Sequence, residues 1–396
     1  MNLVVFVSDA LRTDAVGCFG ARFVNTRTVD GLAARGARFD NAVTAAPWTC
    51  PSMTSMVTGQ YPHHHGVLHW DAPAPAGPNL FALTRAHGLA VASAVFDRDY
   101  LFKNLPDANV IGTSERLDEA IEWLRANAGG PFLLFVHSWA THMPYDIHHA
   151  ERREWRAAKQ ELIDGIQSDR AGALQETYER YTRAVEHMSE VVLASLLEEL
   201  ESLGVADSTA VAFLSDHGES WGERLADKDE LQGIYHMHGA TLHEEVVQVP
   251  LIVTAPGRID PVEIDSQVRS VDLVPTLLEL AGAPVPTGLD GRSLLPLIDG
   301  GEQGDRPAVI AGTDMGALSQ LAVRVPPWKL IRHLGDGREE AYRLDDDPRE
   351  RASRDDAPAE LREMLDAELA TAVGREALAE DEEAVIEARL ADLGYL

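Results

Sequence analysis

The sequence predicts an α/β protein built on a mostly parallel central sheet with helices on both faces, plus a small C-terminal subdomain with antiparallel strands. Short apolar runs without polar alternation, typical of strands buried on both faces, recur between stretches of helical composition. Toward the carboxyl end, strand-like runs follow a segment rich in proline and glycine and predict the small antiparallel sheet. The chain has 396 residues, 45% of them hydrophobic, enough for a substantial core.

Apolar runs rich in Val, Leu, Phe or Ala predict five strands of the central sheet, at residues 3–7, 89–95, 132–136, 209–214 and 250–253. An amphipathic stretch closed by Gly204 predicts a helix over residues 174–203. A second helix is expected to begin at Ser270, a good capping residue, and to end at Gly282.

Proline and glycine cluster in residues 284–304, where we expect a loop-rich passage between two domains. We therefore predict a catalytic α/β domain over residues 1–305 and a smaller C-terminal subdomain over 306–396. Strand-like runs at residues 308–310, 328–331 and 340–344 predict a small antiparallel sheet in that subdomain, and the acidic tail has helical composition.

The chain is strongly acidic, with 64 Asp and Glu against 34 Lys and Arg and a formal charge of -30. This charge disfavours binding to nucleic acid or to anionic membranes, so an anionic substrate would need a local cation to attract it. Only four residues are lysine, which indicates either a salt-adapted, halophilic cytosol or a high-GC genome. Two cysteines and no leader or membrane span in the sequence favour a cytoplasmic, reducing location.

Charged residues follow two of the predicted strands directly. Asp9 comes after the first strand, and Asp216 and His217 come after the fourth. Because the carboxyl ends of parallel strands open into one crevice, these side chains are expected to meet there. Two carboxylates and an imidazole suit a divalent cation.

Residues 46–62, which read APWTCPSMTSMVTGQYP, resemble the nucleophile segment of the sulfatases in the alkaline phosphatase superfamily. Further segments resemble the same family in the same order, namely residues 7–12, 17–20, 215–219, 243–245, 249–253, 328–331 and 342–348. The resemblance implies an alkaline phosphatase-like fold and a metal-dependent hydrolase of sulfuric or phosphoric esters.

The nucleophile segment departs from the sulfatase pattern, in which a cysteine converted to formylglycine begins a Cys-x-Pro-x-Arg motif. Counting ten residues back from Gly59 gives Thr49, with Pro51 at the expected position and Met53 in place of the arginine. The resemblance thus implies Thr49 as an unmodified nucleophile, as in threonine branches such as the lipoteichoic acid synthases. Cys50 is expected to be a buried neighbour. Thr49 also suits a helix N-cap, and both roles are compatible.

By resemblance, the metal ligands are Asp9, Thr49, Asp216 and His217. Ala10 stands where classical sulfatases have a second aspartate, and His217 stands where they often have asparagine. These changes favour Mn²⁺, Zn²⁺ or Mg²⁺, with Ca²⁺ as a further option.

The resemblance also points to residues for the substrate. His142 is the preferred general acid for the leaving oxygen, and His238 is the second choice as acid and the first as contact for the anionic group. Arg12 either orients the substrate or pairs with Asp14. The run His63, His64, His65 is interpreted as solvated loop residues outside the site.

These residues predict hydrolysis of a small anionic ester through a covalent intermediate on Thr49. A formylglycine hydrate can release its bound sulfate by collapsing to an aldehyde, but a threonine ester cannot. The threonine ester must be cleaved at sulfur or phosphorus, which favours phosphate esters or diesters. Two alternatives stay open: a transferase that passes the phosphoryl group to an acceptor alcohol, and a metal-binding protein without turnover. The second is motivated by Ala10, Met53 and Ala140.

Overall fold

A computed structural model gives the architecture of the chain. It describes residues 1–75, 77–95, 102, 105–112, 117–145, 157–158, 161, 164–165, 168, 170–221, 238–314 and 317–372. Among these residues, no helix is both long enough and apolar enough to cross a membrane. The predicted tail beyond residue 372 lies outside the described residues.

A nine-stranded sheet forms the centre of the larger part. Its strands are β1 (Asn2–Ser8), β2 (Ala37–Val43), β3 (Ala90–Ala94), β4 (Val110–Gly112), β5 (Phe132–Ser138), β6 (Thr209–Ser215), β7 (Gln248–Thr254), β8 (Val262–Ile264) and β9 (Val268–Arg269). The order across the sheet is β4-β3-β5-β1-β6-β7-β2-β8, with β9 also pairing β2. Strand β7 is antiparallel to both of its neighbours, and all the other pairings are parallel.

Helices cover both faces of this sheet. The helices of the larger part are α1 (Arg27–Ala33), α2 (Thr49–Thr58), α3 (Pro62–His65), α4 (Leu80–Ala86), α5 (Asp118–Asn127), α6 (Arg170–His187), α7 (Ala194–Ser202), α8 (Glu244–Val247), α9 (Leu273–Ala281) and α10 (Leu295–Ile298), with a π-helical turn at Met188–Leu193 between α6 and α7. Alternate residues of β1 face opposite sides. Leu3 and Val5 pack with α2, α4 and α9, whereas Val4 and Phe6 pack with α1, α5 and α6.

The C-terminal part is a four-stranded antiparallel sheet of β10 (Ala308–Asp314), β11 (Ala317–Val325), β12 (Trp328–His333) and β13 (Glu339–Arg343), in that order. Helix α11 (Ala359–Thr371) covers one face with Leu361, Leu365 and Leu369. The other face packs on α8, where Val246 and Val247 contact the sheet. This sheet therefore has apolar partners on both sides.

The predicted fold class is confirmed: a mostly parallel sheet with helices on both faces is joined to a small antiparallel sheet. All five predicted central strands are present, and the helix expected over 174–203 matches α6, the π turn and α7. The expectation of an irregular passage at 284–304 was incomplete, because it contains the short helix α10. The domain boundary at residue 305 stays a prediction.

Candidate metal centre and active site

Three adjacent strands, β5, β1 and β6, bring acidic and imidazole side chains to one point at their carboxyl ends. In the sheet register, Ser8 lies opposite both Ser138 and Ser215. Asp9 and Asp216 are each the next residue along, and His137 precedes Ser138. Sheet pairing alone therefore places these three side chains together, as the convergence of parallel strands predicts.

His217, the residue after Asp216, also lies at this point. The side chains of Asp9, His137, Asp216 and His217 are fully or almost fully buried. His137 Nε2 lies 3.1 Å from Asp9 Oδ2 and 3.7 Å from Asp216 Oδ2. His217 Nε2 lies 3.5 Å from Asp9 Oδ1 and 3.4 Å from Asp216 Oδ2. Two carboxylates and two imidazoles thus face one small space, which we call the metal centre.

Backbone groups hold the Asp216 carboxylate in a fixed orientation. Its Oδ1 accepts hydrogen bonds from the backbone N–H of Ala10 at 3.1 Å and of His217 at 2.9 Å. The other oxygen, Oδ2, has no hydrogen-bond partner among the described residues and faces the two imidazoles. Ala10 has a φ of 54°, in the left-handed region that alanine seldom adopts.

His217 is oriented by the segment that follows it. Its Nδ1 lies 2.8 Å from the carbonyl oxygen of Gly218, so Nδ1 carries the proton and Nε2 presents a lone pair to the metal centre. Gly218 in turn donates its N–H to the carbonyl of Val246 at 2.7 Å. A side chain at residue 218 would place its Cβ only 2.2 Å from the carbonyl oxygen of Glu245, so this approach requires glycine.

The electrostatics of the metal centre favour a bound cation. Burial and the neighbouring Asp216 raise the pKa of Asp9 to about 6. Burial opposes a charge on His137, yet the carboxylates of Asp216 and Asp9 raise its pKa to about 9. Neither oxygen of Asp9 makes a hydrogen bond within the described part of the chain. Unbonded buried carboxylate oxygens are costly without a counter-charge, and the Asp9, His137 and Asp216 ligand atoms lie within 4.8 Å of one another. The residues therefore fit a divalent metal ion.

Thr49 is the first residue of α2 and is almost fully buried. Its Oγ1 lies 3.3 Å from His217 Nε2, at the edge of the metal centre. Helix α2 is fixed there because its Ser52 donates a hydroxyl hydrogen bond of 2.7 Å to the carbonyl of Asp216. Thr44, which precedes the helix, donates to the same carbonyl at 2.6 Å. The expected N-cap role is not seen, since Trp48 occupies the cap position.

Cys50 packs into a small apolar cluster beside Thr49. Its neighbours there are Val67 and Ala72, with the partly buried Trp48 and Trp70 around them. The expectation of a buried neighbour is confirmed, because Cys50 is 5% exposed.

Two further imidazoles extend outward from the metal centre. The His238 ring lies 4.3 Å from the His217 ring and 5.2 Å from the His142 ring, between centroids. His238 Nδ1 donates to Glu219 Oε1 at 2.9 Å, and Tyr145 donates its hydroxyl to the other oxygen of Glu219. His142 Nδ1 donates to the carbonyl of Met143 at 2.7 Å. The predicted acid and anion contacts thus lie next to each other.

Arg12 binds acidic and carbonyl groups of the protein itself. Its guanidinium makes two hydrogen bonds of 2.9 Å to the Asp14 carboxylate and one of 2.7 Å to the carbonyl of Glu219. It also lies 4.5 Å above the ring of Trp221. Arg12 thus pairs with Asp14, as one of the two alternatives for this residue predicts. The other alternative, that Arg12 orients the substrate, stays a prediction.

Sequence reasoning missed His137. The residue lies inside an otherwise apolar strand, and its imidazole was not distinguished from the strand around it. The available signal was its position one residue before the end of a buried strand next to β1. The interpretation of the histidine run as solvated loop was also wrong: His63 and His65 are buried, and all three histidines belong to helix α3.

The family follows from comparison with known proteins. A sulfatase family model matches residues 1–283, and a model of the N-sulphoglucosamine sulphohydrolase C-terminal region matches residues 236–374. The chain belongs to the sulfatase family.

Curated relatives are about a quarter identical to this chain over the aligned residues. An ulvan-active sulfatase of Formosa agariphila is 24% identical over 354 residues, which cover 78% of this chain and 67% of the relative. The low-salt glycan biosynthesis sulfotransferase Agl7 of Haloferax volcanii is 26% identical over 292 residues, covering 72% and 62%. The chain thus matches about two thirds of the length of these relatives.

Solved structures confirm the alkaline phosphatase-like sulfatase fold. A 2-O GAG sulfatase superposes with a TM-score of 0.74 at 20% identity, over 93% of this chain and 92% of that one. The phosphonate monoester hydrolase of Agrobacterium radiobacter gives 0.68 at 18% identity, over 93% and 95%.

Proposed function

We propose that the chain is a metal-dependent hydrolase of sulfate or phosphate esters that acts through a covalent intermediate on Thr49. The observation that supports this most directly is the position of Thr49 Oγ1, 3.3 Å from the imidazole that faces both buried carboxylates. The neighbouring Cys50 packs instead with apolar residues, which argues for threonine as the nucleophile.

The ligand set extends the sequence prediction by one residue. Asp9, Asp216 and His217 are joined by His137, and the Thr49 hydroxyl lies at their edge. A divalent cation held there would lower the pKa of a bound hydroxyl and would offset the negative charge of the transferred group. The imidazoles in this set suit Zn²⁺ and the carboxylates suit Mn²⁺, whereas Ca²⁺ prefers a site made of oxygen ligands only.

The chain's own residues then divide the reaction into two steps. Thr49 Oγ1 loses its proton to water and forms a bond to sulfur or phosphorus while the bond to the leaving oxygen breaks. His142 or His238 gives that oxygen a proton, and the Glu219 carboxylate orients the His238 ring for this. Water then attacks the transferred group and gives a proton to the histidine that lost one, while the bond to Thr49 Oγ1 breaks and that oxygen regains a proton from solvent. Because only cleavage at sulfur or phosphorus can free the threonine, we expect phosphate esters or diesters to react faster than sulfate esters.

A transferase of the same fold is the second candidate. It is favoured by the Haloferax volcanii relative, whose name gives it as a sulfotransferase. In that reaction an acceptor alcohol takes the place of water in the second step. A metal-binding protein without turnover is the third candidate.

The test compares the wild type with Thr49→Ala and with the matched control Cys50→Ala on 4-nitrophenyl sulfate, 4-nitrophenyl phosphate and bis-4-nitrophenyl phosphate, with Mn²⁺ added. We expect Cys50→Ala to keep most of the activity and Thr49→Ala to lose at least ~10³-fold. After rapid acid quenching, the mass of the intact chain should show one added phosphoryl or sulfuryl group, and peptide mass analysis should map that group to Thr49.

An aldehyde at residue 50, or full activity of Thr49→Ala, would contradict the proposal. Adding glycerol as acceptor separates the first two candidates, because a transferase forms glycerol phosphate or sulfate in preference to the free anion. A wild-type protein that binds Mn²⁺ but turns over none of the three esters would support the third candidate.

A further inference from the structure

A second group of imidazole and carboxylate side chains lies away from the metal centre, between α3 and the C-terminal helix α11. His63 Nε2 is 3.0 Å from Glu368 Oε2, and His64 Nε2 is 3.6 Å from the same oxygen. These three ligand atoms all lie within 4.8 Å of one another. We call His63, His64 and Glu368 the interdomain cluster.

Asp290 determines which nitrogen of His64 faces the interdomain cluster as a ligand. His64 Nδ1 lies 2.8 Å from Asp290 Oδ2, and that oxygen also accepts the N–H of Tyr61 at 2.7 Å. A carboxylate on Nδ1 leaves Nε2 of a neutral imidazole with its lone pair directed at Glu368. This carboxylate–histidine arrangement is the usual support of a metal-bound imidazole.

The hydroxyl of Thr371 does not donate a hydrogen bond to the Nε2 lone pair of His64. Thr371 Oγ1 lies 3.0 Å from His64 Nε2, but the same hydroxyl donates to the carbonyl of Glu368 at 2.9 Å. His64 Nε2 therefore faces two oxygen atoms whose lone pairs point toward it. His63 Nε2 can donate a proton to Glu368 Oε2, but His64 Nε2 faces both oxygens as a third acceptor, and a proton on His64 or a metal ion between these atoms would relieve that contact.

His63 is held rigidly in place. Its side chain is fully buried, and its ring stacks on Tyr61 with centroids 5.6 Å apart and an angle of 12°. The ring also lies 4.2 Å from the His64 ring. Two imidazoles fixed in this way lose little freedom on binding an ion, which favours a preformed site.

We propose that the interdomain cluster is a structural site for a divalent transition metal of the zinc class, with His63, His64 and Glu368 as ligands and the Thr371 oxygen or a water as the fourth. Tetrahedral zinc with bonds of about 2.0–2.1 Å separates neighbouring ligand atoms by roughly 3.3 Å. The distances of 3.0 and 3.6 Å to Glu368 lie on either side of that value. The ion would join the larger α/β part to helix α11.

The two outer ligands are accessible for loading. The side chains of His64 and Glu368 are 23% and 28% exposed, whereas all four ligands of the metal centre are buried. The alternative occupant is a proton: Asp290 raises the pKa of His64, and a protonated His64 would pair with Asp290 and Glu368. Metal titration separates these two possibilities.

The test uses the full chain, stripped with a chelator and titrated with Zn²⁺ and with Co²⁺. We expect two equivalents of metal in the wild type and in the control Glu363→Gln, which changes an exposed glutamate of the same helix. Glu368→Gln and His63→Gln should bind one equivalent tightly and the second at least ~10-fold more weakly. Added Zn²⁺ should raise the melting temperature of the control more than that of either variant.

A separate measurement covers the case in which these variants fold poorly. In the Asp216→Asn chain, whose metal centre has lost a ligand, Co²⁺ bound at the interdomain cluster should still give the visible absorption of a tetrahedral ion. The proposal is overturned if this absorption is missing from a folded Asp216→Asn chain. It is equally overturned if Glu368→Gln and His63→Gln bind as much metal as the wild type, since His64 would then hold only a proton.

Discussion

The replacement Glu244→Gln tests how the C-terminal sheet is anchored to the α/β part. Glu244 is the first residue of α8, and its carboxylate binds Arg324 at 2.7 Å and Lys329 at 3.1 Å, both from the C-terminal sheet. Burial alone would raise the pKa of Glu244, but these two cations lower it to about 2 from an ordinary value of 4.5. A shift of this size at ~1.4 kcal/mol per unit corresponds to roughly 3 kcal/mol of folding free energy at neutral pH.

The sign of the pH dependence follows from the lowered pKa. The stabilisation is complete above the unfolded-state pKa of about 4.5 and is lost as the pH falls toward 2. We therefore expect Glu244→Gln to lower the free energy of unfolding by roughly 3 kcal/mol at pH 7 and by less than half of that at pH 3. Urea unfolding followed by tryptophan fluorescence at the two pH values measures both differences.

Glu263→Gln provides the matched control. Glu263 also pairs with an arginine, Arg38, at 3.1 Å, but its side chain is 70% exposed. Exposed pairs contribute little, so we expect a change of less than about 1 kcal/mol at either pH. The reasoning is wrong if Glu244→Gln costs no more than this control, or if its cost at pH 3 equals its cost at pH 7.

Two further predictions concern the metal centre. The replacement His137→Ala, at a buried histidine, should weaken Mn²⁺ or Zn²⁺ binding at this centre at least ~10-fold, as measured by calorimetry. The control His87→Ala, at an exposed histidine, should leave the affinity unchanged. Equal metal affinities of the two variants would remove His137 from the proposed ligand set. Gly218→Ala should cost about 2–3 kcal/mol in thermal or urea unfolding, since its Cβ would meet the Glu245 carbonyl oxygen at 2.2 Å. Gly129→Ala, with open space around the added methyl, should change stability by less than about 0.5 kcal/mol, and an equal effect of both glycine changes would contradict the close approach.

The central strands could be predicted because burial on both faces leaves a continuous apolar run. Strand β1, with the sequence NLVVFVS, is the plainest case. Strand β2 was missed because its sequence ARFDNAV mixes charged and apolar residues, and only part of it is buried. Strands β4, β8 and β9 have two or three residues each, which is too short for a periodic signal.

The candidate site was predictable where one short motif supplies several groups. Asp216 and His217 are adjacent in sequence, and their position after a buried strand placed them at the sheet edge. His137 could not be found in this way, because its role depends on the pairing of β5 with β1, which are separated by more than 120 residues. Sequence periodicity predicts that strands exist, but it does not predict which strands are neighbours.

Helix α8 connects the C-terminal sheet to the segment that orients His217, and no local sequence pattern indicates this connection. Glu244 binds Arg324 and Lys329 of the C-terminal sheet, and the carbonyls of the next two residues accept the N–H groups of Glu219 and Gly218. The Gly218 carbonyl in turn orients the His217 ring. The backbone that orients the His217 ring is therefore held from its other side by the C-terminal sheet. This arrangement gives a physical reason for the C-terminal sheet to pack against the α/β part at α8 rather than elsewhere on its surface.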